Sequence, residues 1–142
     1  LVCADAAEWK PVEMADAVLV DAPCSSTGTI RRHPDVARLK TPGDVAKMTR
    51  LQDRLLTAAT GMVRPGGGIV YCSCSLQPDE GPERIASLFK SGLPVERSAI
   101  QPGYIGGLKE LISVDGELRT LPFHLGDQGG MDGFYAARLK RT

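Results

Sequence analysis

With 142 residues, 17 basic against 17 acidic side chains and 42% hydrophobic residues, the sequence has the make-up of one soluble globular domain, or most of one. Zero net charge excludes a strongly basic nucleic-acid clamp, so any contact with RNA or DNA has to come from a local patch or from another segment. No run of about 18 apolar residues exists, which excludes a helical membrane span. The chain starts at Leu1 within an apolar run and without a secretory leader, and it reads as a piece of a longer protein whose N-terminal part is missing.

In chain order, Leu1 to Ala4 is the first expected strand, ending at Asp5. Asp16 to Asp21 is the second, a short β-branched run expected to be buried on both faces as in a parallel sheet. A polar loop follows from Ala22 to about Lys40. Thr41-Pro42-Gly43-Asp44 supplies a cap, a proline at the first helical position and an acid three residues after the cap. Val45, Met48, Leu51, Leu55, Ala58 and Met62 then recur every three or four residues, one helical face, until Arg64-Pro65-Gly66-Gly67-Gly68 stops the helix. Ile69 to Cys72 is the next buried strand, and Pro78 to Ser91 a shorter helix. Val95 to Ile100, Glu117 to Phe123 and Phe134 to Lys140 read as further strands, the last two joined by a Gly-rich loop, Gly126 to Gly133. This alternation predicts an α/β fold with an open, mostly parallel sheet and a late antiparallel pair, all within one domain portion, residues 1–142.

Ligands of open α/β sheets bind beyond the carboxyl ends of the strands. Asp5, the stretch Asp21 to Cys24, and Ser73-Cys74 all fall at such ends. Of the four cysteines, Cys3 and Cys72 read as core residues, because cysteine is among the most buried residue types. Cys24 and Cys74 sit where function is expected. Cys72-Ser73-Cys74 is one residue too tight for a C-x-x-C metal site, and neither His33 nor His124 lies at ligand spacing, so no metal is expected and the thiols read as reduced and cytosolic.

Asp21-Ala22-Pro23-Cys24-Ser25-Ser26-Thr27-Gly28, followed by Arg31-Arg32-His33-Pro34-Asp35, resembles the Pro-Cys motif of the NOL/NOP/Sun family of RNA cytosine-C5 methyltransferases. Tyr71-Cys72-Ser73-Cys74-Ser75-Leu76 resembles that family's second cysteine motif. Gly129 to Leu139 is similar to its closing strand. The resemblance runs over nearly the whole chain. It implies a partial Rossmann-like class I methyltransferase fold, S-adenosylmethionine as cofactor, and RNA as substrate, with ribosomal RNA the reading that rests on resemblance alone. It implies Cys74 as the nucleophile that adds to cytosine C6, Cys24 as the second cysteine that resolves the adduct, and Asp21 as the group facing the cytosine amino edge. Asp5, with Asp21, would meet the cofactor. Arg31, Arg32 and His33 would meet RNA phosphates near the flipped base.

The sequence departs from the family at three places. Gly81 stands where the helix after the second cysteine usually carries Asn, and Ser73 replaces a common Thr. The Gly-rich cofactor loop, the ribose-binding acid, the active-site lysine and an RNA-binding N-terminal domain are absent, so the isolated segment is expected to bind cofactor poorly. Three other readings stand beside this one. A related sheet acting on nitrogen would carry an aromatic after the Pro-Pro of its loop, where Cys24 stands here. A non-catalytic RNA-binding or assembly module would not need both cysteines. A redox protein would need Cys72 and Cys74 to pair, which their spacing disfavours.

Overall fold

The computed structural model describes residues 1–142. One mixed sheet carries the chain, in the order β1-β2-β5-β3, with β4 also on β5. Strand β1 (Ala15–Asp21) runs parallel to β2 (Val63–Ser73), with Val20 opposite Tyr71 and Asp21 opposite Cys72. Strand β5 (Phe134–Arg141) lies antiparallel to β2, and takes β3 (Val95–Arg97) and β4 (Leu118–Thr120) end to end along its other side. The expected α/β architecture with a late antiparallel pair is present, and β3 adds a further antiparallel pairing.

Between β1 and β2 runs the helix α2 (Pro42–Met62), after a short α1 (Val36–Leu39) inside the expected loop. Thr41 caps α2 as its sequence predicts. Its hydroxyl accepts from the Asp44 amide, and the Asp44 carboxylate accepts from the Thr41 amide at 3.0 Å. The Thr41 hydroxyl, which also donates to that carboxylate at 2.7 Å, and then the Thr41 amide hold the Asp44 carboxyl below its ordinary range. Helix α2 ends at Met62, and β2 follows without a loop. Gly66 (φ +80°) and Gly67 let the strand bulge, so that its pairing with β1 jumps from Val63 to Gly68. A Cβ on Gly67 would stand 2.6 Å from the Asp16 carbonyl oxygen.

The helix expected over Pro78 to Ser91 is divided. A 3-10 turn, Pro78–Glu80, precedes α3 (Pro82–Lys90), and the break falls at Gly81 (φ −129°, ψ −109°). Pro82 has no amide to donate and disfavours helical backbone at the residue before it. Gly81 also lies against the Tyr135 ring, where a Cβ would come within 3.1 Å. The core lies under the helices and is built from Val20, Leu56, Val63, Ile69, Tyr71, Ile85, Tyr135 and Leu139, with others. No helix is long and apolar enough to cross a membrane.

Four sequence expectations fail for physical reasons. Leu1 to Ala4 forms no strand and is exposed, because β1 has a neighbour on one side only and this segment does not pair with its free edge. Cys3, expected in the core, is therefore exposed. Strand β1 is covered by α2 on one face only: Val20 is buried, while Leu19 keeps 68% of its surface exposed. The buried face of α2 is centred on Gln52, Leu56 and Ala59 rather than on the expected stripe. Of that stripe, Met62 is buried, while Leu51 and Leu55 are partly buried and line a cleft.

Candidate active site

The parallel register of β1 and β2 puts the two cysteine loops side by side. Where β1 ends, the Ala22 amide donates to the Cys72 carbonyl at 2.9 Å, and six residues later the Gly28 amide donates to the Cys74 carbonyl at 2.9 Å. The intervening loop is thus fastened at both ends to the end of β2. Gly28 fits there because a side chain would collide with the Gly133 carbonyl. Between these anchors the Cys24 and Cys74 sulfurs are 3.4 Å apart, and neither is in a disulfide. The Cys74 thiol also lies 3.6 Å from the Ser26 hydroxyl, to which it donates. Ser26 holds φ +60°, a left-handed backbone that a non-glycine residue adopts at a cost.

Burial pushes the Cys24 thiol up to about 11, and the adjacent Cys74 adds to the effect. A thiol that holds its proton this firmly is a poor resting nucleophile. Cys72 is buried, as its sequence position suggests. It donates to the Val20 carbonyl at 3.6 Å and to the Asp21 carboxylate at 3.7 Å, and burial first, then the Asp21 charge, pushes it to about 11. Cys72 and Cys74 do not pair.

Asp5 and Asp21, distant in sequence, line one cleft of about 590 Å³ between the N-terminal segment, β1 and α2. Its other walls include Trp9, Val18, Pro23, Leu51 and Leu55. Asp5 accepts from the Ala7 amide at 2.9 Å, which turns the chain towards the cleft. Apolar walls with two carboxylates suit a nucleoside: the walls cover a base, and the carboxylates accept from hydroxyl or amino groups. The cleft adjoins the cysteine pair through Asp21 and Pro23.

Arg31 and Arg32 are exposed and converge on Asp132, from the Gly-rich loop before β5. Arg32 Nε donates to Asp132 Oδ2 at 2.8 Å, and Arg31 reaches Oδ1 at 3.4 Å. The Arg32 contact, with Arg31 behind it, lowers the Asp132 carboxyl, and Asp132 in turn raises Arg32. The structure brings these two cations together, while His33 is exposed and takes no part in the cluster.

Two residues of this site escape a reading of the sequence. Glu80 is completely buried, and its carboxylate accepts from the Ser25 amide at 2.9 Å, the Ser25 hydroxyl at 2.5 Å and Gln52 Nε2 at 3.2 Å. Gln52 also donates to the Pro23 carbonyl at 2.8 Å. Glu80 reads in sequence as an ordinary acid at a helix start, and Gln52 as a polar interruption of an apolar face. Arg119 of β4 adds a third brace, donating to the Ser75 and Leu76 carbonyls at 2.9 and 2.7 Å.

Residues 1–140 match the family described as 16S rRNA methyltransferase RsmB/F. The chain belongs to that family. It is 33% identical over 144 residues to the ribosomal RNA small subunit methyltransferase B of Vibrio cholerae, covering 99% of this chain and 30% of that protein. A probable ribosomal RNA small subunit methyltransferase B of Coxiella burnetii is 36% identical over 132 residues, 93% of this chain and 28% of that one. The chain therefore spans less than a third of the length of these curated relatives. Among solved structures, a methyltransferase homolog protein from Pyrococcus horikoshii superposes with a TM-score of 0.67 at 27% identity, over 92% of this chain and 40% of that one. The RsmB/F match agrees with the Sun-family resemblance carried by the two cysteine motifs, and the superposition agrees with the expected methyltransferase fold.

Proposed function

We propose that this RsmB/F segment carries the two-cysteine centre and part of the cofactor cleft of an enzyme that methylates cytosine C5 in ribosomal RNA. The observation that carries the reading is the 3.4 Å approach of the Cys24 and Cys74 sulfurs beside Asp21. Cytosine C5 is a weak nucleophile. A thiolate that adds to C6 forms a C–S bond and moves the ring's electron pair towards C5, while N3 takes up a proton.

Cys74 is the attacking thiol in this reading. It stands at the end of β2, half-buried, with the Ser26 hydroxyl beside it. Cys24, its sulfur 3.4 Å from that of Cys74, lies where it can serve the later step. In that step a base takes the C5 proton, the C–S bond breaks with its electron pair returning to the Cys74 sulfur, and N3 gives back its proton, restoring the aromatic ring. Asp21 faces the cytosine amino edge and favours the proton at N3, an electrostatic role. S-adenosylmethionine, when bound, supplies the methyl group. Asp5 and Asp21 would hold it, with Trp9, Leu51 and Leu55 covering its base. Arg31 and Arg32 are the phosphate contacts of this reading, held in position by Asp132, with exposed His33 beside them.

The test is covalent trapping. The full-length protein is incubated with 5-azacytidine-containing ribosomal RNA and S-adenosylmethionine, and the adduct is mapped by mass spectrometry. An adduct on Cys74 is the expected outcome. One on Cys24 keeps the reaction and exchanges the two roles. No adduct on either cysteine, across several RNA pools, removes the reading in favour of a non-catalytic RNA-binding module.

A further inference from the structure

Glu80 is 0% exposed, yet it is a carboxylate. Burying such a group is costly unless several donors converge on it. At the start of α3 an acid would be expected to turn towards the helix amides or solvent. Glu80 instead reaches 55 positions back along the chain, to the amide and hydroxyl of Ser25. Its backbone carbonyl meanwhile accepts from the Ser73 hydroxyl at 3.0 Å and the Tyr71 hydroxyl at 2.9 Å. Ser25 directly follows Cys24, and Ser73 directly precedes Cys74. One residue thus grips the chain beside each cysteine, through different groups. Gln52 ties the same carboxylate to the Pro23 carbonyl, on the other side of Cys24.

We propose that Glu80 is a positioning residue for the cysteine pair: by holding Ser25 with its side chain and Ser73 with its carbonyl, it fixes Cys24 against Cys74. Its consequence for methyl transfer rests on the function proposed above; its consequence for the distance between the thiols does not. Glu80, Ser25 and Gln52 are not among the residues that line the cofactor cleft. Loss of the grip should therefore slow steps that use both thiols and leave cofactor affinity alone. A merely structural role would weaken both together.

The experiment uses the full-length protein and its Glu80→Ala, Glu80→Gln and Ser25→Ala variants. Diamide takes one hydrogen from each of two neighbouring thiols to give a disulfide and a hydrazine, so the rate at which it links Cys24 to Cys74, mapped by mass spectrometry, reads their proximity. Alkylation of exposed Cys3 is the internal control. Glu80→Ala is expected to slow both linkage and kcat by roughly 10- to 100-fold, the scale set by small misplacements of reacting groups, with the Kd for S-adenosylmethionine unchanged. Glu80→Gln keeps the shape and most of the pairing and should recover much of the loss. Ser25→Ala removes one contact, and should show a smaller fall of the same kind even if Glu80→Ala fails to fold. Parental linkage rates in the folded variants would overturn the proposal. So would a parallel loss of cofactor affinity, or a parent that never links Cys24 to Cys74. A parent that links the pair but methylates no RNA would sink the proposed function and leave the role of Glu80 standing.

Discussion

The junction of the two cysteine loops and the exposed side of β1 are built in opposite ways. At the junction Ser25, Gly28, Ser73, Ser75 and Glu80 are all buried, and carbonyls, amides and hydroxyls of one loop meet those of the other. On β1, by contrast, Leu19 is an exposed apolar group that lines the Asp5–Asp21 cleft, and Val12 and Met14, exposed just before the strand, line a second hollow against α2. The thiol geometry is therefore held by contacts within this segment, while the Asp5–Asp21 cleft keeps an exposed apolar wall.

The sharpest way to break that contrast is to damage the shared core and see which side suffers. Leu56, fully buried beneath both β strands, packs against Val20, Tyr71 and their neighbours. Leu56→Ala should cost about 2–5 kcal/mol, read by denaturant unfolding of the full-length protein, the usual range for a buried leucine. A cost below about 1 kcal/mol would mean that the core carries little of the stability. Asp5→Ala acts on the open side alone. It should weaken S-adenosylmethionine binding about tenfold, as for a hydrogen bond to a charged group, while leaving the rate of Cys24–Cys74 linkage unchanged. Unchanged affinity by calorimetry would remove Asp5 from the cofactor site.

How much of this was legible in the sequence follows the same division. The strand ends at Asp21 and Ser73, the Thr41 cap and the order of strands from Asp16 onward are local signals, and each is present. The β-branched run Asp16 to Asp21 signals a strand, but an edge strand and a central one look alike in sequence, so the exposure of Leu19 was not readable. Leu1 to Ala4 is an apolar run without a partner, and a strand needs one. Gln52, Glu80 and Asp132 went unread for another reason. Each works through a contact with residues 28 to 101 positions away, and nothing local distinguishes a buried acid from a surface one.

The cap of α2 gives a smaller effect with a defined pH dependence. Thr41→Ala should cost about 1 kcal/mol at neutral pH. The folded Asp44 carboxyl is lowered by the Thr41 hydroxyl first and the Thr41 amide second. Its contribution is therefore complete above the unfolded carboxylate value of about 4, and is lost as pH falls through the lower folded value. The difference between parent and Thr41→Ala should then shrink in acid. A difference that grows below pH 4 would contradict the box.

The smallest expected effect is the most telling about the open side. Leu19 is the exposed face of β1, opposite Val70 in the sheet, and buries little against this segment. If that face is free in the whole protein, Leu19→Ser should change stability by no more than about 0.5 kcal/mol, as surface substitutions do. If the rest of the protein covers it, the same change should cost the full-length protein about 2 kcal/mol or more and the isolated 142 residues almost nothing. Unfolding both lengths with the same substitution measures that difference directly. We expect the second outcome, because a parallel strand with one apolar face in water is stable only when something packs against that face.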